Sequence, residues 1–187
     1  MTFKIILLSS LSAVLPFIMI AQENLILNGD FQQINNRGLP EGWHISHPNF
    51  LERNDIRVML LSDGDLNYLH VEKNSETHAQ LGNQTIDLPE GTSALEVSVQ
   101  MRGKNVVSGD RDWMVPGIGV TYYLEDDSSM SGDMQRWVFL STGDSEWFDY
   151  SSIIPVRENA VRASIEIIGH GWTGEVDFAN IVVEAIP

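Results

Sequence analysis

Along most of this chain the apolar positions recur every second residue, and the 3.6-residue spacing of a buried helix face is nearly absent. In SALEVSVQMRG, Leu95, Val97, Val99 and Met101 alternate with Glu96, Ser98, Gln100 and Arg102, the period of a strand with one side in a core and the other facing solvent or a ligand. AVRASIEIIG repeats the pattern, with Val161, Ala163, Ile165 and Ile167 opposed to Arg162, Ser164 and Glu166. GEVDFANIVVEA carries Val176, Phe178, Ile181 and Val183. Further strands are predicted over 56–61, 68–71, 82–88, 115–124, 134–140 and 148–154. Turn-rich pieces such as LSDGD, LPEGT, EDDSSMSGD and STGDSE separate many of them. Many short strands at regular spacing predict an all-β sandwich or barrel.

One segment departs from this alternation. Residues 1–21 hold a single lysine, Lys4, followed by an apolar run from Ile5 to Ile20 and the small residue Ala21. That is the pattern of a signal peptide, and Pro16 shortens the run below the ~20 apolar residues of a membrane-spanning anchor, the alternative reading. Residues 22–187 then make one domain, secreted or held in the periplasm or at the cell surface. Directly after the leader, NLILNGDFQ reads as a strand delivered into a tight turn at Asn28, Gly29 and Asp30. The chain has no cysteine, so no disulfide secures the exported domain, which must stand on its core or on a metal.

The 187 residues include 26 acidic against 11 basic side chains, a formal charge of -15. Nucleic acid and anionic membrane surfaces call for clustered Lys and Arg and are excluded as partners on this ground. The acids are scattered through ordinary aliphatic content, which argues against disorder. They suit either a soluble surface or, at particular positions, calcium.

The pieces NLILNGDFQ, GLPEGWHIS, VSVQMRGKNV, DWMVPGIGVTYYLEDD, EWFDYSSIIPVRENAVRASIEIIG and GEVDFANIVVE fall in the order of one family. Over the mature chain the sequence resembles the carbohydrate-binding modules of families four and nine. The resemblance implies a β-sandwich jelly roll of the galactose-binding type, with first and last strands adjacent, and a polysaccharide or oligosaccharide as partner. It implies packing roles for Trp43 and Trp147, and a structural calcium shared by the chain ends. Asp30 and Asp177 would be its ligands, with the Gln32 amide oxygen standing where such modules carry a glutamate. The other reading makes Asp30 a turn cap and Asp177 a solvated strand residue.

Sugar rings offer apolar C–H faces that stack on aromatic rings, while their hydroxyls need planar donors and acceptors around the rim. Trp113 after the polar loop RGKNVVSGDRD, Trp137 in MQRWVFL and Trp172 in GHGWTGE are the candidate platforms, with Gln100 and Arg102 as the rim. Trp113 in the core, and Trp172 as an ordinary exposed aromatic, stay open. Catalysis finds less support. Glu125, Asp126 and Asp127 cluster in a hairpin loop, and Glu166, Glu175 and Asp177 lie on late strands, but no stretch sets a visible pair at glycosidase spacing. The histidines, His44, His47, His70, His78 and His170, form no zinc motif, and GxSxG is absent. A structural or adhesive surface protein is the third class, without the contiguous apolar surface that would mark it. The expectation is a monomeric, exported, non-catalytic glycan-binding domain.

Overall fold

A computed structural model describes residues 23–45, 55–129, 135–140 and 142–187, with no side-chain description for 135–137. The signal peptide expected over 1–21 lies outside the described residues, as does His47. Ten strands form two five-stranded antiparallel sheets, and the described residues contain no helix. In chain order the strands are β1 (His44–Ile45), β2 (Ile56–Asp63), β3 (Leu66–Lys73), β4 (Gln80–Asp87), β5 (Ala94–Val107), β6 (Gly117–Tyr123), β7 (Gln135–Phe139), β8 (Gly143–Pro155), β9 (Arg162–Ile168) and β10 (Thr173–Ile186). One sheet has the order β1-β4-β9-β6-β7 and the other β2-β3-β10-β5-β8. The molecule is a jelly-roll β-sandwich.

The apolar half of each alternating strand faces the partner sheet. Leu95, Val97, Val99 and Met101 of β5 meet Ile165, Ile167, Ile118 and Val120 of the opposing sheet in one core, all at most 2% exposed. Trp43 lies in this core as the resemblance implied, 5.5 Å from the Phe31 ring and donating its indole N–H to the Asn28 carbonyl. Trp172, a candidate sugar platform, is instead wholly buried, because its indole N–H donates to the Ile168 carbonyl and folds the Gly-flanked loop inward. The Lys73 ammonium lies 5.6 Å from the Trp172 ring centroid and donates to the Thr77 carbonyl. Burial lowers the Lys73 pKa to about 8.

The chain ends do run side by side, but the start is not a strand. Asn24 makes an isolated bridge to Glu184, the Leu25 N–H donates to Val183, and the segment then turns. The positive φ values in that turn belong to Asn28 and Phe31, at 55° and 56°. Gly29 serves for close approach: its carbonyl accepts the Ile181 N–H at 2.9 Å, and a Cβ there would run into the Ile181 carbonyl. Ile181 lies in a β-bulge of β10, where the pairing with β5 shifts register between Ala179 and Val182. The same turn reaches the other sheet. The buried Gln84 side chain of β4 accepts the Leu27 N–H at 2.6 Å and donates to the Leu27 carbonyl at 2.9 Å. Overpacking of this kind typically costs ~1–3 kcal/mol. Gly29→Ala is therefore expected to lower Tm by roughly 3–10 °C for a domain of this size. Thermal melting followed by circular dichroism reads this, and an unchanged Tm would contradict it.

Candidate functional site: two sheet faces with different chemistry

Register decides which polar side chains share a face, because directly opposite residues on neighbouring strands point the same way. On the outside of the β1-β4-β9-β6-β7 sheet, His44, Asn83, Glu166, Gly119 and Arg136 occupy one transverse row of the backbone. Thr85, Ser164 and Thr121 form the row beside it. Gly119 places no side chain between the Glu166 and Arg136 positions. Glu166 is 5% exposed and Ser164 1% exposed. Burial raises the Glu166 pKa, and hydrogen bonds from Thr121, Ser164 and Gln80 only partly offset it. The Asn83 amide donates to the Ser164 hydroxyl. Around Glu166 this face thus offers amide and hydroxyl groups.

At one end of the rows stand aromatic rings from three loops. His78 precedes β4, His170 follows β9, and paired backbone bonds between Ala79 and Gly169 bring them together with ring centroids 4.9 Å apart. Trp113, from the β5–β6 loop, packs edge-on against His78 at 5.8 Å and stays 36% exposed, with the Arg111 guanidinium 5.6 Å from its ring. Strand rise puts His170, four residues beyond Glu166, about 13 Å from it, the reach of a short oligosaccharide.

The opposite face, outside the β2-β3-β10-β5-β8 sheet, is ionic. His70, Asp177 and Arg102 are register partners across β3, β10 and β5. Asp177 takes a 2.6 Å bond from His70 Nδ1 and a 2.5 Å bond from Arg102 Nε. The guanidinium stacks on two rings, 4.8 Å from the Trp147 centroid and 5.1 Å from that of Tyr68. Lys104 pairs with Glu175 at 3.2 Å. His70, Asp177, Arg102, Tyr68, Lys104 and Glu175 line a recess of about 500 Å³, walled by Leu61 and by residues 144–146, with the Trp147 ring behind the lining.

The structure therefore divides the residues expected to act together. Gln100 and Arg102 lie on the ionic face, where the Gln100 amide donates to Asp149 and accepts from Asn180. Trp113 lies with His78 and His170 instead of beside Arg102. Trp137 is in β7, at the register shift between the Ile118 and Gly119 pairings, so its backbone belongs to the first sheet. Trp172, in the core, offers no ring to a ligand. Trp147 does pack, as the resemblance implied, but against Tyr68 and Arg102 on an outer face.

The three residues expected to hold calcium are each engaged elsewhere. Asp30 caps its own turn through the Gln32 N–H, the Gln32 amide donates to the Asp65 carbonyl, and the two Asp177 oxygens accept from His70 and Arg102. An aspartate ion-paired with Arg102 and hydrogen-bonded by His70 is a poor ligand for a divalent cation. Among the described residues no group of three or more His, Cys, Asp and Glu side chains is placed to hold a metal.

Sequence comparison adds little, since no protein-family model matches the chain and no curated protein does. Structural comparison is informative. A family 4 carbohydrate-binding module superposes with a TM-score of 0.50 at 16% identity, over 86% of this chain and 99% of that one. The fold is that of carbohydrate-binding modules. The CBM22-1 xylan-binding domain of Paenibacillus barcinonensis Xyn10C agrees, with a TM-score of 0.51 at 10% identity over 89% of this chain and 96% of that one. The enzymatically active domain of bacteriophage CBA120 tailspike protein 4 superposes with a TM-score of 0.62 at 14% identity over 87% of this chain. The chain spans only 21% of that tailspike chain.

The ionic face carries a pH dependence. The hydrogen bond to Asp177 raises the His70 pKa above its ordinary 6.5, against the opposing effect of burial. Protonated His70 thus contributes stability that is fully present below pH 6.5 and is lost as pH rises through the higher folded value. Wild-type Tm is expected to fall relative to that of His70→Gln as pH rises from mildly acidic through neutral. Parallel melting curves over that range would contradict the pairing.

Proposed function

We propose that this chain is an exported, monomeric, non-catalytic domain that binds a neutral polysaccharide or oligosaccharide, akin to modules of families four and nine. The glycan lies along the outer face of the β1-β4-β9-β6-β7 sheet. One observation carries the reading: the exposed Trp113 ring, grouped with His78 and His170, ends a band of amide and hydroxyl side chains centred on Glu166. A sugar unit stacked on Trp113 brings its neighbours over Gln80, Asn83, Thr121 and Glu166, whose donors and acceptors match hydroxyls. The shared fold with a family 4 module and with a xylan-binding domain supports this reading and makes xylan a probe worth including.

Hydrolysis would need a second carboxyl across the sugar from Glu166. Among the described residues the next one along β4 on this face is Asp87, four residues from the Asn83 position and so about 13 Å away by strand rise. Paired glycosidase carboxyls stand about 5–9.5 Å apart. This spacing favours binding over catalysis, and a reducing-end assay on bound polysaccharides tests the difference.

Affinity electrophoresis against soluble xylan, β-glucan, mannan and pectin tests the site. A neutral polysaccharide is expected to retard the wild-type domain. Glu166→Ala and Trp113→Ala are each expected to weaken that retardation at least tenfold in Kd, since central contacts typically contribute about 2 kcal/mol or more. Retardation unchanged in both variants would contradict the assignment.

A further inference from the structure

The recess on the ionic face is not used by the reading above, and its composition is that of a ligand site. Its floor is the Arg102 guanidinium, whose side chain is 31% exposed, fixed from one side by Asp177 and from beneath by the Tyr68 and Trp147 rings. Asp177 occupies Nε, so the outer nitrogens remain to serve the Tyr68 hydroxyl and whatever enters the recess. Tyr68, braced edge to face by the Trp147 ring at 5.6 Å, forms the apolar wall together with Leu61, 38% exposed. Guanidinium, carboxylate and apolar ring surface thus meet in about 500 Å³, room for one or two sugar units and too little for a protein segment of any length.

We infer that this recess is a second glycan-binding site, taking an uncharged sugar unit, and that the domain is bivalent, with its two sites on opposite sheet faces. The inference rests on the reading that the protein binds glycan, but not on where the first site lies. The preference for an uncharged unit follows from the ion pairs. Asp177 holds His70 and Arg102, Glu175 holds Lys104, and Asp144 and Glu146 also line the recess. An anionic sugar would have to displace one of these carboxylates and then face the rest. A hydroxyl both donates and accepts, so it fits between guanidinium and carboxylate without breaking either pair. Two sites facing away from each other cannot grip one short oligosaccharide. They can engage two strands of a polysaccharide, which raises retention on a matrix above what either site provides alone.

Isothermal titration of the mature domain with xylohexaose, cellohexaose and mannohexaose, each taken separately, with trigalacturonate as the charged control, tests the inference. A neutral oligomer is expected to bind the wild type with two equivalents. Trp147→Ala leaves the Arg102–Asp177–His70 network standing and is expected to remove one equivalent, as is Arg102→Ala, while Glu166→Ala removes the other. Binding that is lost in the recess variants and untouched by Glu166→Ala would uphold the recess and overturn the first site. One equivalent lost with Glu166→Ala and unaffected by both recess variants would overturn the second site and leave the first. Binding of trigalacturonate alone would overturn the inference through its charge argument. No binding of any probe would overturn both readings.

Discussion

The two sheets of this cysteine-free domain are held in register by one short turn. Residues 25–29 donate and accept backbone bonds with β10 at Val183 and Ile181, and through Leu27 they exchange two bonds with the buried Gln84 side chain of β4. The turn therefore bridges both layers without a covalent link. Everything that follows depends on it. Gln84 is the immediate neighbour of Asn83, so the bonds that hold Gln84 inward fix Asn83 outward on the row that contains Glu166. The bulge in β10 that receives Gly29 also changes which β10 residues face outward, and Asp177 stands before that change.

The two outer faces then solve different problems with the same strand geometry. On one, a carboxyl at 5% exposure is kept among hydroxyl and amide groups from three strands. On the other, charges are neutralised pairwise, and the Arg102 guanidinium is positioned by an ion pair and by two aromatic rings. The first arrangement is suited to reading many hydroxyls along a chain. The second holds one rigid planar donor in a walled recess.

Much of the architecture was legible in the sequence because a two-residue period has one physical meaning. Strands expected over 95–102 and 115–124 appear as Ala94–Val107 and Gly117–Tyr123, and the adjacency of the chain ends follows the resemblance. Alternation tells which residues of a strand leave the core. It does not tell which of two sheets the strand joins, and so Gln100 and Arg102 were grouped with Trp113 although β5 and the histidines beside Trp113 belong to opposite layers. Trp172 was misplaced for another reason. Flanking glycines signal a turn, but they do not reveal that the Ile168 carbonyl will draw the indole inward. The rows around Glu166 were missed because AVRASIEIIG shows only that Ser164 and Glu166 face away from the core. That they meet Asn83, Thr85 and Thr121 is a matter of register, set by strand pairing across more than 40 residues of chain.

The central claim is that glycan lies on the β1-β4-β9-β6-β7 face, and an NMR titration of the labelled domain with the neutral oligosaccharide it retains tests that most directly. The account expects the largest shifts at the Trp113 indole N–H, at the Gln80 and Asn83 amide side chains and at the backbone of Ser164 and Glu166. A titration that saturates while these signals stay in place would contradict it.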